Sequence, residues 1–182
     1  MKAVLMSIRP EWCELIASGK KTVEIRKTIP RKFVHDGFYG GYVVEPFKVY
    51  IYETQGYSAT PQVFEDGTTI FQGRGSVIGE FVCDRIHPES EVADGLVDFG
   101  LALTSCMEPA DIIKYANGKT VYSWHISDLA IYDKPKELHK FKQCHKCLYG
   151  YEECTRHEYS CDGAYNVQNP PQSWCYVNEV QE

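Results

Sequence analysis

Lys21, Glu24 and Arg26 are the residues of this chain best suited to chemistry, and they lie within Gly19-Lys20-Lys21-Thr22-Val23-Glu24-Ile25-Arg26. An arginine fork fixes a phosphate or a base edge through paired donors, and a lysine adds a point charge. In a hydrolase, a lysine at this place acts as a base only after burial or a neighbouring cation disfavours its charged form, while Glu24 moves protons. The simpler alternative is that Glu24 and Arg26 pair along a strand rim and Lys20, Lys21 and Lys27 are solvated. Arg9, Thr22, Trp12, Tyr122, Trp124 and His125 complete the candidate ligand-binding set. Rings of this kind hold an unstacked base, and His125 is a candidate donor or proton shuttle. The competing role for each ring is packing in the core or at a barrel rim. Tyr122 and Trp124 share a strand face that His125 does not.

A second constellation is Cys144-His145-Lys146-Cys147 followed by Cys154 and Cys161, with the spacing C-x2-C-x6-C-x6-C. Four thiolates complete a tetrahedral metal site, and a closed four-sulfur site is structural. Structural zinc held by Cys144, Cys147, Cys154 and Cys161 is the favoured reading. His145, His157 and Cys175 are alternative ligands, and free thiols, another metal or disulfides are competing states. Around these residues Tyr149, Gly150, Glu152, Glu153, Gly163, Asn166 and Asn169 cannot build a core, so a cation is the available means of ordering the loop. Cys13, Cys83 and Cys106 stand singly among apolar neighbours and read as small core residues, and Cys175, between Trp174 and Tyr176, reads as packing.

Gly19, Lys21, Glu24 and Arg26 spell Gly-x-Lys-x-x-Glu-x-Arg, which resembles the signature of the ASCH domain, a member of the PUA-like superfamily. Leu5-Met6-Ser7-Ile8-Arg9-Pro10-Glu11-Trp12 and Tyr122-Ser123-Trp124-His125-Ile126-Ser127-Asp128-Leu129 are similar to the bacterial and prophage branch of that family. The resemblance spans roughly residues 1–138 and resumes at Pro170-Pro171-Gln172-Ser173-Trp174-Cys175-Tyr176-Val177. It implies a small β-barrel and an RNA-binding module, with deacetylation of acetylated cytidine or RNA cleavage in some members. In the amidohydrolase branch the residue matching Lys21 is catalytic, a Thr stands in the place of Glu24, and a later loop contributes a further Glu. This chain departs from that pattern: Thr22 lies two residues before Glu24 on the same face, and the nearest later acid is Glu108. Three functions follow as expectations: a reader of RNA or a modified nucleotide, a hydrolase of a modified nucleoside or RNA using Lys21 and Glu24, and a prophage module that binds a protein partner.

Composition bounds these readings. The chain has 182 residues, 43% hydrophobic and 24% charged, as expected for one globular domain over 1–182 with residues 143–172 as a small insertion. There is no apolar run of about 20 residues that would span a membrane and no signal peptide, so a cytoplasmic location is expected. The formal net charge of −6 argues against indiscriminate phosphate binding, but residues 1–50 hold nine Lys or Arg against five Asp or Glu. That segment is +4, and it carries the motif; the remainder is −10.

The elements that must position these residues are legible in outline. Arg9 to Ser18 reads as a helix, with Pro10 in the first turn, Glu11 and Glu14 at the positive end and Gly19 at the left-handed stop. Strands are expected over Ala3–Ile8, Lys21–Arg26, Phe47–Glu53, Ser76–Ile86, Thr120–Tyr132 and Ser173–Val180, and a second helix over Pro109–Ala116 with Ile112, Ile113 and Ala116 as its apolar face. Residues 55–75 and 143–172 read as insertions. The fold class expected is α+β: a PUA-like mixed β-barrel with flanking helices and a metal-bound C-terminal insertion.

Overall fold

The computed structural model describes residues 2–37, 41–63, 69–144 and 164–180. It is an α+β fold built on a mixed seven-stranded sheet in the order β11-β8-β5-β1-β14-β12-β13 and a three-stranded sheet in the order β2-β10-β9. The strands of the larger sheet are β1 (Lys2–Ile8), β5 (Phe47–Glu53), β8 (Ser76–Cys83), β11 (Ser127–Lys136), β12 (Lys142–Cys144), β13 (Ala164–Asn166) and β14 (Trp174–Asn178). Those of the smaller sheet are β2 (Val23–Arg26), β9 (Ile86–Glu89) and β10 (Val121–His125). The pair β1–β5 is parallel and the other paired strands are antiparallel.

The larger sheet is buried on both faces at its centre, which explains the unbroken apolar run of β1. Val4, Met6 and Ile8 enter a core with Phe47, Val49, Ile51, Phe81, Ile86 and Trp124, drawn from both sheets. Ala3 and Leu5 point the other way, to a second core with Tyr50, Tyr52, Val77, Phe141 and Val177. A period of two divides each strand between these layers. The barrel-like first core is thus enclosed by two separately hydrogen-bonded sheets rather than one continuous ladder among the described residues.

Helix α1 (Pro10–Ala17) has Pro10 at its first turn and Gly19 at φ +72 just after it. Helix α3 (Pro109–Ala116) has the bounds anticipated; Ile112 and Ala116 are buried, whereas Ile113 is 36% exposed. Between them α2 (Phe99–Ser105), capped by the Asp98 side chain accepting from the Leu101 amide, escaped the sequence reading.

Other expectations require correction. The single strand expected over Ser76–Ile86 is two, β8 and β9, which belong to different sheets; Thr120–Tyr132 likewise divides into β10 and β11 at Ile126. The junctions are only the pair Asp84-Arg85 and the single residue Ile126, too short to mark a change of sheet in the sequence. Residues 55–75 are not a plain insertion loop: they contain the antiparallel pair β6 (Tyr57–Val63) and β7 (Thr69–Gln72). A further pair, β3 (Val34–Asp36) and β4 (Tyr42–Val44), was also not anticipated. Within the second expected insertion, β12 pairs with β13 so that Cys144 lies opposite Ala164. Cys147, Cys154 and Cys161 lie outside the described residues.

Across β5 and β8, Lys48 Nζ contacts Glu80 Oε1 at 2.7 Å, and Tyr132 donates a hydrogen bond to Glu80. Burial alone would raise the Glu80 carboxyl, but the Lys48 and Tyr132 hydrogen bonds outweigh it and hold it below its ordinary value of 4.5. Hydrogen bonding to Glu80 in turn raises Lys48 above 10.5. A carboxylate with a depressed folded value contributes stability above its unfolded value and loses it as pH falls through the folded one. Glu80→Gln is therefore expected to cost about 1 kcal/mol at neutral pH, with the deficit shrinking on acidification below roughly pH 4. Urea melts of both proteins across that range check this.

Candidate functional site

Glu24 occupies the centre of a buried ion cluster. Its Oε2 lies 3.2 Å from Lys21 Nζ and its Oε1 lies 2.9 Å from Arg26 Nη2. The residues are only 2% (Lys21), 7% (Glu24) and 7% (Arg26) exposed. The solvated-rim alternative is thereby replaced for these three, whereas Lys20 and Lys27 are exposed.

The local backbone explains the burial. After α1 the chain turns at Gly19, and the Lys21 amide donates to the Leu15 carbonyl at 2.9 Å, turning the Lys21 side chain inward. Its ammonium donates to the Ser105 carbonyl at the end of α2 (2.7 Å) and lies 5.2 Å from the Trp12 ring centroid. Arg26 donates from Nη2 to the Ser7 carbonyl (2.8 Å) and from Nη1 to Ser173 Oγ (3.3 Å). The cluster therefore joins α1, β1, β2, α2 and the approach to β14. In β2, Glu24 and Arg26 face the first core, while Ile25 enters a third core with Val92, Leu101, Ile112, Ala116 and Val121.

Strand β10 sets the aromatic residues in register, with Tyr122 opposite Arg26 and Trp124 opposite Glu24. Trp124 is fully buried, 5.7 Å from the Phe47 centroid and 5.9 Å from that of Trp174. Tyr122 and Trp12 are half-buried. Thr22 is exposed, although its backbone bridges the Thr104 carbonyl and the Ile126 amide. Arg9 is exposed and 3.9 Å from Glu11. His125, on the other face of β10, contacts Asp84 through Nδ1 at 2.6 Å and does not join the cluster. Burial tends to raise the Asp84 carboxyl, but the His125 hydrogen bond and charge, with Arg85, bring it below 3.8.

Sequence reasoning missed two acids here. Glu53, 2% exposed at the end of β5, accepts from the Arg74 amide at 3.2 Å. Glu11 has its Oε2 buried without a hydrogen-bond partner among the described residues. Both lie near Cys13: burial pushes its thiol well above 9.0, and the charges of Glu53, Glu24 and Glu11 push it further. The available signal for Glu53 was a carboxylate ending the apolar run Phe47-Lys48-Val49-Tyr50-Ile51-Tyr52. Glu108, the later acid singled out above, is exposed at the cap of α3 and remains outside the cluster. Two buried donors, Arg26 Nε and Trp124 Nε1, also lack partners among the described residues.

This arrangement can hold an anion or an acceptor-rich edge through unsatisfied donors in a region of low dielectric, and it places a carboxylate within proton-transfer distance of an amine. Residues 6–39, which include the whole of the Lys21–Glu24–Arg26 cluster, match the family model of the ASCH domain. The fold of the chain is similar to crystal structures of the ASCH protein from Zymomonas mobilis (TM-score 0.53, 18% identity, covering 97% of this chain and 88% of that one). A Ser-to-Ala mutant of the same protein gives a TM-score of 0.54 at 20% identity over 97% and 89% of the respective chains. No curated protein sequence matches the chain.

Removing the shared carboxylate leaves two buried cations unpaired. Glu24→Ala is expected to destabilise the fold by about 3–5 kcal/mol, more than either Lys21→Met or Arg26→Met, as measured by urea denaturation. Thiol labelling supplies a separate check. Burial raises Cys83 to about 12 and pushes Cys13 well above 9.0, so these two are expected to react with a thiol reagent at neutral pH only on unfolding, after the half-buried Cys106.

Proposed function

We propose that this ASCH-domain protein binds RNA or a modified nucleotide, with Lys21, Glu24 and Arg26 at the floor of the ligand site. The observation that carries this reading is the burial of two cations around a single carboxylate, which leaves the triad with a net positive charge. The unpartnered Arg26 Nε supplies a donor, and Trp12 supplies a half-buried ring beside Lys21. A nucleotide offers both a phosphate anion and a base edge with a stacking face, so it answers each of these features. The basic first 50 residues favour its approach despite the negative whole.

The 3.2 Å approach of Lys21 Nζ to Glu24 favours a second reading, hydrolysis of a modified nucleoside or RNA with these two residues moving the proton. Incubation with short RNAs and modified nucleosides, followed by binding titrations and mass spectrometry, separates the two. A reader binds without turnover; Arg9→Ala, at an exposed position, keeps the fold and lowers the salt slope by about one phosphate contact. In the same reading Arg26→Ala weakens binding at least about tenfold, the loss of one charged hydrogen bond. A hydrolase releases a product that Lys21→Ala abolishes. Absence of both binding and turnover across the panel refutes the reading and leaves the protein-partner alternative.

The reading extends to the cysteines as a structural zinc site formed by Cys144, Cys147, Cys154 and Cys161. The β12–β13 ladder supports it by bringing the chain back beside Cys144 at Ala164, three positions after Cys161. Cys175 packs against the second core, which favours the four others as ligands. Elemental analysis of purified protein is expected to find about one zinc per chain, and Cys147→Ser is expected to lose it.

A further inference from the structure

On the side of β2 away from the ion cluster, a groove of ≈ 480 Å³ runs between the β9 segment and α2. Val92, Leu96, Gly100 and Leu101 line it, with Glu89, Glu91 and Asp98 on its walls. The helix beside it points its largest side chains outward: Phe99 is 79% exposed and Leu103, one turn on, is 65% exposed, while Leu96 is 62% exposed. Helix geometry explains the arrangement. Leu101 and Ser105 occupy the buried face, Gly100 and Thr104 the groove flank, and Phe99 and Leu103 the ridge opposite the core.

An apolar ridge beside an apolar-floored groove is a costly surface to leave in water. The charge around it is one-sided: residues 87–111 contain Glu89, Glu91, Asp94, Asp98, Glu108 and Asp111 and no Lys or Arg. This field repels phosphate backbones and anionic lipid, and it attracts cationic chain. Gly100 leaves room for the α2 cap beside the groove, since a Cβ there would lie 2.8 Å from Asp98 Oδ1.

We propose that this face docks a basic amphipathic segment of a partner protein, whose apolar side chains seat in the groove and over Phe99 and Leu103 while its Lys or Arg residues meet Glu91, Asp94 and Asp98. The apolar contact supplies affinity and the acidic rim selects the sign of the partner's charge. The proposal is independent of the nucleotide reading, because it uses the opposite face of β2.

The test uses the full chain and fluorescein-labelled 14-residue peptides composed of Leu and Lys, of Leu and Glu, or of Ser and Lys. Fluorescence anisotropy is expected to show saturable binding of the Leu/Lys peptide, with the other two at least tenfold weaker. Phe99→Ser/Leu103→Ser, which leaves the net charge unchanged, and Glu91→Lys/Asp94→Lys should each weaken that binding at least tenfold, with folding verified by circular dichroism. Equal binding of the Ser/Lys peptide, unchanged affinity in the double variants, or no saturable binding overturns the proposal. Sedimentation showing a dimer that Phe99→Ser/Leu103→Ser dissociates also overturns it, by assigning the face to a second copy.

Discussion

A single buried carboxylate, Glu24, holds together the candidate site of this fold. Taking Lys21, Glu24 and Arg26 out of water costs several kcal/mol per ion, and mutual attraction offsets that only when the remaining donors are also satisfied. The structure meets most of this requirement with backbone rather than further charge, leaving Arg26 Nε without a partner among the described residues. The Ser105 carbonyl accepts from Lys21, and the Ser7 carbonyl accepts from Arg26. Each acceptor belongs to a different element, so the cluster is complete only when α2 and the end of β1 have docked against β2. Electrostatics in this region therefore reports on tertiary assembly, and no isolated strand or hairpin would reproduce it.

The short strand β2 separates two incompatible environments by its period of two. Glu24 faces Trp124 across the ladder, while Ile25 packs among Val92, Leu101, Ile112 and Val121. A register slip of one residue would place two charges in the third core and Ile25 against the cations, so the register is strongly specified. Trp124 contributes here by mass as much as by polarity. With Phe47 and Trp174 it fills the space beside the carboxylate and excludes the water that would otherwise solvate Glu24.

Much of this arrangement is legible in the chain because it depends on local rules. Pro10 and Gly19 delimit α1, Pro109 and Gly118 bracket α3, and the alternation after Lys21 sorts Val23 and Ile25 from Glu24 and Arg26. What escaped depends on non-local geometry. Ser76–Glu89 and Val121–Lys136 each cross from one sheet to the other through a break of only one or two residues, Asp84-Arg85 and Ile126, and so short a break does not announce a change of sheet. Burial of Lys21 was equally hidden, since the Ser105 carbonyl that receives it lies 84 positions away. Helix α2 has only seven residues, with Gly100 near its start and Phe99 and Leu103 facing outward, so its apolar pattern does not identify a buried stripe. His125 illustrates the converse: its parity correctly separates it from Tyr122 and Trp124, and its partner is Asp84 across the connection to β9.

Burial also constrains how any ligand gains access to the cluster. Glu24 is gripped by two cations at 2.9 and 3.2 Å, and the Lys21 and Arg26 contacts with backbone carbonyls are 2.7 and 2.8 Å. The longer contacts are those of Arg26 Nη1 with Ser173, at 3.3 and 3.5 Å. Hydrogen-bond strength falls over that interval, so Ser173 is the neighbour whose displacement costs least. The same segment is held by Ser7 Oγ donating to the Pro171 carbonyl at 2.7 Å and the Ser7 amide donating to the Ser173 carbonyl at 2.9 Å. An incoming acceptor that replaces Ser173 at Arg26 can thus leave the segment tethered through Ser7. Access from the Pro171–Ser173 side preserves the Lys21–Glu24–Arg26 core, whereas entry between Glu24 and either cation would expose a buried charge to an unpaired state. In the proposed reading, the asymmetry of these contacts makes Arg26 the residue to meet ligand and Glu24 the residue that keeps Arg26 in place.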